Sequence, residues 1–264
     1  MKESTNKSDE CWNAIYEDSG MRLHDFSQGP FVITADDIKG ICQARGLKRT
    51  EPRILCKQDT RESRPKIFKD NGLFILPKKN KVYYVLKGEG YVDIPDITSD
   101  VEEYNSDFGF ELRSSKVGDS EMQYLDFAYA NSLIRSFMND PTLVLTIRGR
   151  KYTPSFEFRV GNQRLEVESV QTEVDAGYEG RDNILLIEAK NTNAKNEVIR
   201  QLFYPYLQWK KATGKQVHLL FFERRMDAAD VYYYVWQYEF TDDDDYNSIH
   251  LVKSKRFKII NHFA

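Results

Sequence analysis

The segment Asn183–Lys190, NILLIEAK, constrains this chain more than any other. Ile184, Leu185, Leu186 and Ile187 form an unbroken apolar run, which reads as a strand lying deep in a sheet and covered on both faces. Cover of that kind comes from helices packed on the sheet. The run then ends in Glu188-Ala189-Lys190, where an unpaired charge is expensive. Alternation along a strand puts Glu188 and Lys190 on one face.

The flanking sequence predicts the rest of the layer. Ser120–Phe137 has Leu125, Ala128, Tyr129 and Leu133 at helical spacing behind a Ser cap, so one helix is expected there. Leu143–Arg148 and Ser155–Val160 read as strands, and Arg164–Tyr178 is rich in β-branched residues. Glu179-Gly180-Arg181-Asp182 has turn chemistry, and Asn196–Ala212 reads as a helix stopped at Gly214. Val217–Phe222 reads as a buried strand, Val231–Phe240 as an aromatic one, and His250–Ile260 as the last. The acidic run Asp242–Asp245 reads as a hairpin tip. This order implies an α/β (α+β mixed) protein with a mixed central sheet flanked by helices.

Upstream lies a smaller α+β unit. A short helix is expected over Asp9–Tyr16, and Thr34 followed by Asp36 and Asp37 starts a second one. Gly72–Leu76 and Val82–Lys87 read as two strands joined across Pro77–Lys81. A helix, a basic loop and a hairpin make a winged-helix-like outline. Gly88, Gly90 and Pro95 punctuate the chain, giving a division into residues 1–100 and 101–264.

Charge separates these units. The whole chain carries 38 Lys+Arg against 41 Asp+Glu, a formal charge of −3. Arg45–Lys69 alone holds nine basic residues against three acidic ones. Such a cluster suits a phosphate backbone, with a solvated loop as the plainer alternative. Arg53, Arg61, Arg64 and Lys66 are the DNA-contact candidates here, and Arg148, Arg150 and Lys151 are candidates in the larger unit. The three cysteines form no CxxC pair and the four histidines no HxxxH, which disfavours a structural zinc site. No apolar run has the length of a membrane span, and no signal peptide is read at the N-terminus, so a cytoplasmic setting is expected. A phosphate-binding GxxxxGK[ST] loop, a GxGxxG turn and a GxSxG elbow are all missing from the sequence.

Asp175 stands upstream of Glu188 across the predicted turn, and antiparallel pairing brings the two carboxylates together. Two carboxylates and an amine at one point suit a hard divalent cation, whose remaining positions go to water and phosphate. Asp175, with twelve residues between it and Glu188-Ala189-Lys190 on an apolar strand, resembles the motif of PD-(D/E)xK nucleases. The prolyl position is Val174 in this chain. The length, and a basic part preceding the motif, resemble a type II restriction endonuclease in particular.

The resemblance implies a restriction-endonuclease-like core that hydrolyses double-stranded DNA at a short specific sequence, using Mg²⁺ with Mn²⁺ as a substitute. Asp175, Glu188, Lys190 and Gln201 would be the catalytic set. Asp175, Glu188 and Ala189 would serve the metal, with Glu173 and Glu121 as supporting acids. Tyr204 or Tyr206 would pack beside the site or touch the DNA backbone. A homodimer is expected for palindromic sites, with a DNA methyltransferase encoded nearby. A repair or recombination nuclease of the same fold and a non-catalytic DNA-binding regulator are the alternatives. For Asp175, Glu188 and Lys190 the competing reading is a purely structural ion-pair cluster.

Overall fold

The structure is a computed structural model describing residues 7–48, 50–106, 108, 110–118, 120–190, 193–227 and 230–260. Arg49 of the basic run and His262 lie outside the described residues. The chain starts with α1 (Lys7–Asp18), β1 (Phe31–Thr34), α2 (Ala35–Ala44), and the short helices α3 (Pro52–Leu55) and α4 (Lys66–Asn71). The hairpin β2 (Leu73–Lys79) and β3 (Val82–Lys87) follows. These strands form an antiparallel sheet in the order β1-β3-β2. α2 begins where expected, because the Thr34 hydroxyl accepts the Asp37 amide and the Asp37 carboxylate accepts the Thr34 amide.

The hairpin holds two cores together. Leu73, Ile75 and Val85 pack with Trp12, Ile38 and Phe68 of the N-terminal helices. Phe74, Leu76, Tyr84 and Leu86, alternating with them, pack into the core of the larger sheet. Period-two alternation thus makes one hairpin the shared wall of both layers.

Beyond the hairpin come β4 (Tyr91–Asp93), β5 (Glu102–Asn105), α5 (Glu121–Ala130), α6 (Leu133–Met138) and β6 (Val144–Tyr152). Next are β7 (Phe156–Val160), β8 (Gln163–Val167), β9 (Gln171–Glu179), β10 (Asn183–Lys190), β11 (Asn196–Val198) and α7 (Arg200–Thr213). The chain closes with β12 (Gln216–Asp227), β13 (Asp230–Phe240) and β14 (Ile249–Ile260). A seven-stranded sheet runs in the order β5-β14-β13-β12-β10-β9-β6. β9 lies between β6 and β10 and is antiparallel to both, and β12 lies parallel to β10. The protein is therefore mixed α/β, with a large mixed sheet.

β10 is buried on both faces, as its apolar run requires. Ile184 and Leu186 pack toward Leu202 and Phe203 of α7, while Leu185 and Ile187 pack toward Leu125 and Leu133 of α5 and α6. Each such side chain contributes about 1.5–3 kcal/mol on full burial. No helix among the described residues is long and apolar enough to cross a membrane.

Two expectations are corrected. Ser120–Phe137 is two helices, because the buried Asn131 side chain donates back to the Phe127 carbonyl and Ser132 adopts φ 59°. Asn196–Ala212 is not helical from its start. Residues 196–198 form β11, paired antiparallel with β4, and the helix begins at Arg200. Pro205 sits inside that helix, and Gly214 ends it at φ 69°.

Candidate active site

The β9–β10 ladder ends at Ile187 opposite Ala176, so Asp175 and Glu188 are the next residues along. Just past that end, the Ala189 amide donates to Asp175 Oδ2 at 2.8 Å. Glu188 and Lys190 continue the face of Ile184 and Leu186, and Gln201 of α7 lines the same cleft as both. Lys190 Nζ lies 2.9 Å from Glu188 Oε1 and 2.9 Å from Glu197 Oε2. Glu197, on β11, is only 2% exposed. The sequence reading missed this acid, because it placed residue 197 at the start of a helix over Asn196–Ala212.

Two carboxylates thus bracket one ammonium, and Asp175 lies within its electrostatic reach. Burial raises the Glu188 carboxyl to about 8, with the neighbouring Lys190 acting against the shift. Burial likewise raises Asp175 and Glu197 above the ordinary carboxylate range. For Lys190 burial works downward, but Glu188 and Glu197 outweigh it and hold the amine charged. Near neutrality, burial therefore favours a proton on Glu188, and a cation bound there would compete with it.

This donor set fits a hard divalent cation. Asp175 uses Oδ2 for the Ala189 amide and Glu188 uses Oε1 for Lys190, leaving Oδ1 and Oε2 for a ligand. Two carboxylates suffice for Mg²⁺, which fills its other positions with water and phosphate oxygens. Among the described residues no group of three or more His, Cys, Asp or Glu is arranged to hold a metal ion.

The cluster opens into a cleft of about 580 Å³. Glu121, at the start of α5, and Gln201, in the first turn of α7, line this cleft together with Asp175, Glu188, Ala189 and Lys190. Glu173 lines it too, ion-paired with Arg150 at 3.1 Å. Arg53, Lys57 and Asp59 of the N-terminal unit and Arg200 of α7 line it as well, with Lys57 3.6 Å from Asp59.

The other basic candidates are placed differently. The Arg61 guanidinium is bound to Glu89, Asp93 and the Tyr91 carbonyl, and Arg64 donates to the Leu73 carbonyl beneath the Tyr91 ring. Both hold the hairpin region together. Lys66 pairs with Asp70 on the surface, at 2.6 Å. Arg148 pairs with Asp126 on α5, and Lys151 is exposed on the edge strand β6. Tyr204 and Tyr206 turn away from the site. The Tyr204 hydroxyl donates to the Pro77 carbonyl at 3.0 Å, and that of Tyr206 to Asp243.

Fold and cluster together define a mixed α/β protein with a carboxylate–lysine site at the open end of a buried hairpin. The chain belongs to the family described as Domain of unknown function (DUF6997), whose model matches residues 86–258. A second model, Domain of unknown function (DUF6996), matches residues 9–85. No curated protein matches the chain, and no solved structure does.

Proposed function

We propose that this protein is a Mg²⁺-dependent endonuclease of the type II restriction class, cutting double-stranded DNA at a short specific sequence. The observation that carries the reading is the convergence of Asp175, Glu188 and Lys190 at the end of the β9–β10 ladder. The topology supports it: a helix, three antiparallel strands, a helix and a fourth strand parallel to the third fit a restriction-endonuclease-like core. The N-terminal order helix–strand–helices–hairpin, with its sheet β1-β3-β2, fits a winged-helix-like module. Arg53 and Lys57 of that module line the same cleft as the acids, which suits a polyanion held against a metal site.

Asp175 and Glu188 would hold the cation, and Mn²⁺ would substitute. A bound Mg²⁺ supplies a lowered pKa for a coordinated water and screens charge developing on the phosphate. Lys190, kept protonated by its acids, stabilises the pentavalent phosphate by charge. Gln201 orients groups from the α7 side, and Glu173 and Glu121 are supporting acids at the rim. Two-fold sites favour a homodimer working in the cytoplasm, with a methyltransferase encoded nearby to protect host DNA.

Purified protein incubated with phage-sized DNA and Mg²⁺ should give discrete bands, and EDTA should stop cutting. A smear assigns the site to a repair or recombination nuclease. DNA bound but uncut under every metal condition leaves a non-catalytic regulator. Cutting in EDTA overturns the metal reading.

A further inference from the structure

We propose that Glu197 is a positioning residue for Lys190, and that the Asp59–Glu62 segment of the N-terminal unit sets its place. Contact with DNA in the cleft would then be felt at the catalytic lysine. The inference rests on the nuclease reading and adds a route of regulation to the same site.

Glu197 is buried, its Oε2 is 2.9 Å from Lys190, and its Oε1 has no hydrogen-bond partner. A buried carboxylate with a bare oxygen is costly, so its place must be imposed by its neighbours. Those neighbours come from the N-terminal unit. The Arg61 amide donates to Asn196 Oδ1 at 2.7 Å, and Asn196 Nδ2 donates to Glu62 Oε2 at 3.0 Å. On the other side, the Val198 amide donates to the Asp59 carbonyl at 2.7 Å. Both residues flanking Glu197 are therefore fastened to residues 59–62. The same stretch of chain, from Arg53 through Asp59, lines the cleft.

The consequence is mechanical and electrostatic. A shift of the 59–62 segment moves β11, and with it the carboxylate that shares Lys190 with Glu188. With Glu197 in place, Lys190 divides its charge, and Glu188 keeps an oxygen for the cation. Without that share, Lys190 pairs with Glu188 alone and competes with the metal.

The test uses the full chain with Glu197→Gln, Glu197→Asp and Asn196→Ala. Mn²⁺ affinity is measured by calorimetry, kcat and KM on DNA at saturating Mg²⁺, and thermal melting alongside. Glu197→Gln should weaken Mn²⁺ by about tenfold and lower kcat by about a hundredfold, with KM nearly unchanged. It should melt no lower than the wild type, because it removes one of several crowded negative charges. Glu197→Asp should restore most of both losses. Asn196→Ala, at a residue bonded to Arg61 and Glu62 rather than to Lys190, should lower kcat in the same direction. Wild-type kcat and Mn²⁺ affinity in Glu197→Gln would overturn the role of Glu197, as would a collapse of its fold. Wild-type kcat in Asn196→Ala would cut the link to the N-terminal unit. A wild type that neither binds Mn²⁺ nor cuts DNA defeats the nuclease reading itself, a failure seen before any variant is made.

Discussion

Raising the pH from 6 to 8 should strengthen Mn²⁺ binding sharply, and the size follows from Glu188. Its carboxyl is raised to about 8 by burial, so near neutrality it holds a proton that must leave before a cation is bound. With one such proton, affinity should rise by roughly 50-fold between pH 6 and pH 8, about 2.3 kcal/mol, and then level off. Lys190 adds no opposing limb in this range, because Glu188 and Glu197 hold it charged. Calorimetric titrations in buffers of different ionisation enthalpy count the proton directly. About 0.9 should be released at pH 7, about 0.5 at pH 8 and about 0.1 at pH 9. Without metal the sign reverses for stability. Between the ordinary value of 4.5 and about 8 the folded chain keeps a proton that the unfolded chain has lost. Glu188 therefore costs stability on the order of a few kcal/mol as pH rises through that window. An affinity flat from pH 6 to 8, with no proton released at pH 7, would refute the reasoning. Glu188 would then be ionised before the cation arrives.

Asp175→Asn and Glu188→Gln should each abolish cleavage while melting no lower than the wild type at pH 8 without metal, because each removes a strained negative charge; active variants would defeat the assignment. Lys190→Met should also abolish cleavage but should melt lower, by up to about 3–5 kcal/mol less any proton uptake, since it strands Glu188 and Glu197. An unchanged melting point would mean that the two acids never needed the ammonium. Arg53→Ala with Lys57→Ala should weaken DNA binding and reduce the salt slope by about one for each cation, read from binding titrations over rising salt. An unchanged slope would place the DNA elsewhere.

What the sequence revealed, and what it hid, divides by the range of the forces. β10 was legible because four consecutive apolar residues need cover on both faces. The α2 start was legible because Thr34 and Asp37 are three residues apart. The Asp175–Glu188 approach followed from a turn and a period of two. By contrast, nothing local marks Asn196–Val198 as a strand. Its conformation comes from pairing with Tyr91–Asp93 and from bonds to residues 59–62, more than a hundred positions away. Propensity reads such a stretch as the lead-in to α7, and tertiary contacts override it. The same distance hid the commitments of Arg61 and Arg64. In the sequence they are cations in a basic run, whereas in the fold Arg61 meets Glu89 and Asp93 and Arg64 meets the Leu73 carbonyl.

Stability alone gives no reason for the cluster around Lys190. Apolar side chains of similar volume at a buried ion group are often neutral or stabilising, and here burial raises all three acids despite Lys190 and the nearby Arg148 and Arg200. All three carboxyls are raised by burial, which means that each would gain from more water or another cation. A set of groups held in that condition is poised for a positive ligand. Its position narrows the choice of ligand further. Asp175 and Glu188 lie where the β9–β10 ladder has ended, and both line the cleft. Arg53 and Lys57 of the N-terminal unit line the same cleft and are exposed, Lys57 lying 3.6 Å from Asp59. On the proposed nuclease reading, a metal alone would answer the acids, and a metal carrying a phosphodiester would answer both the acids and these two cations.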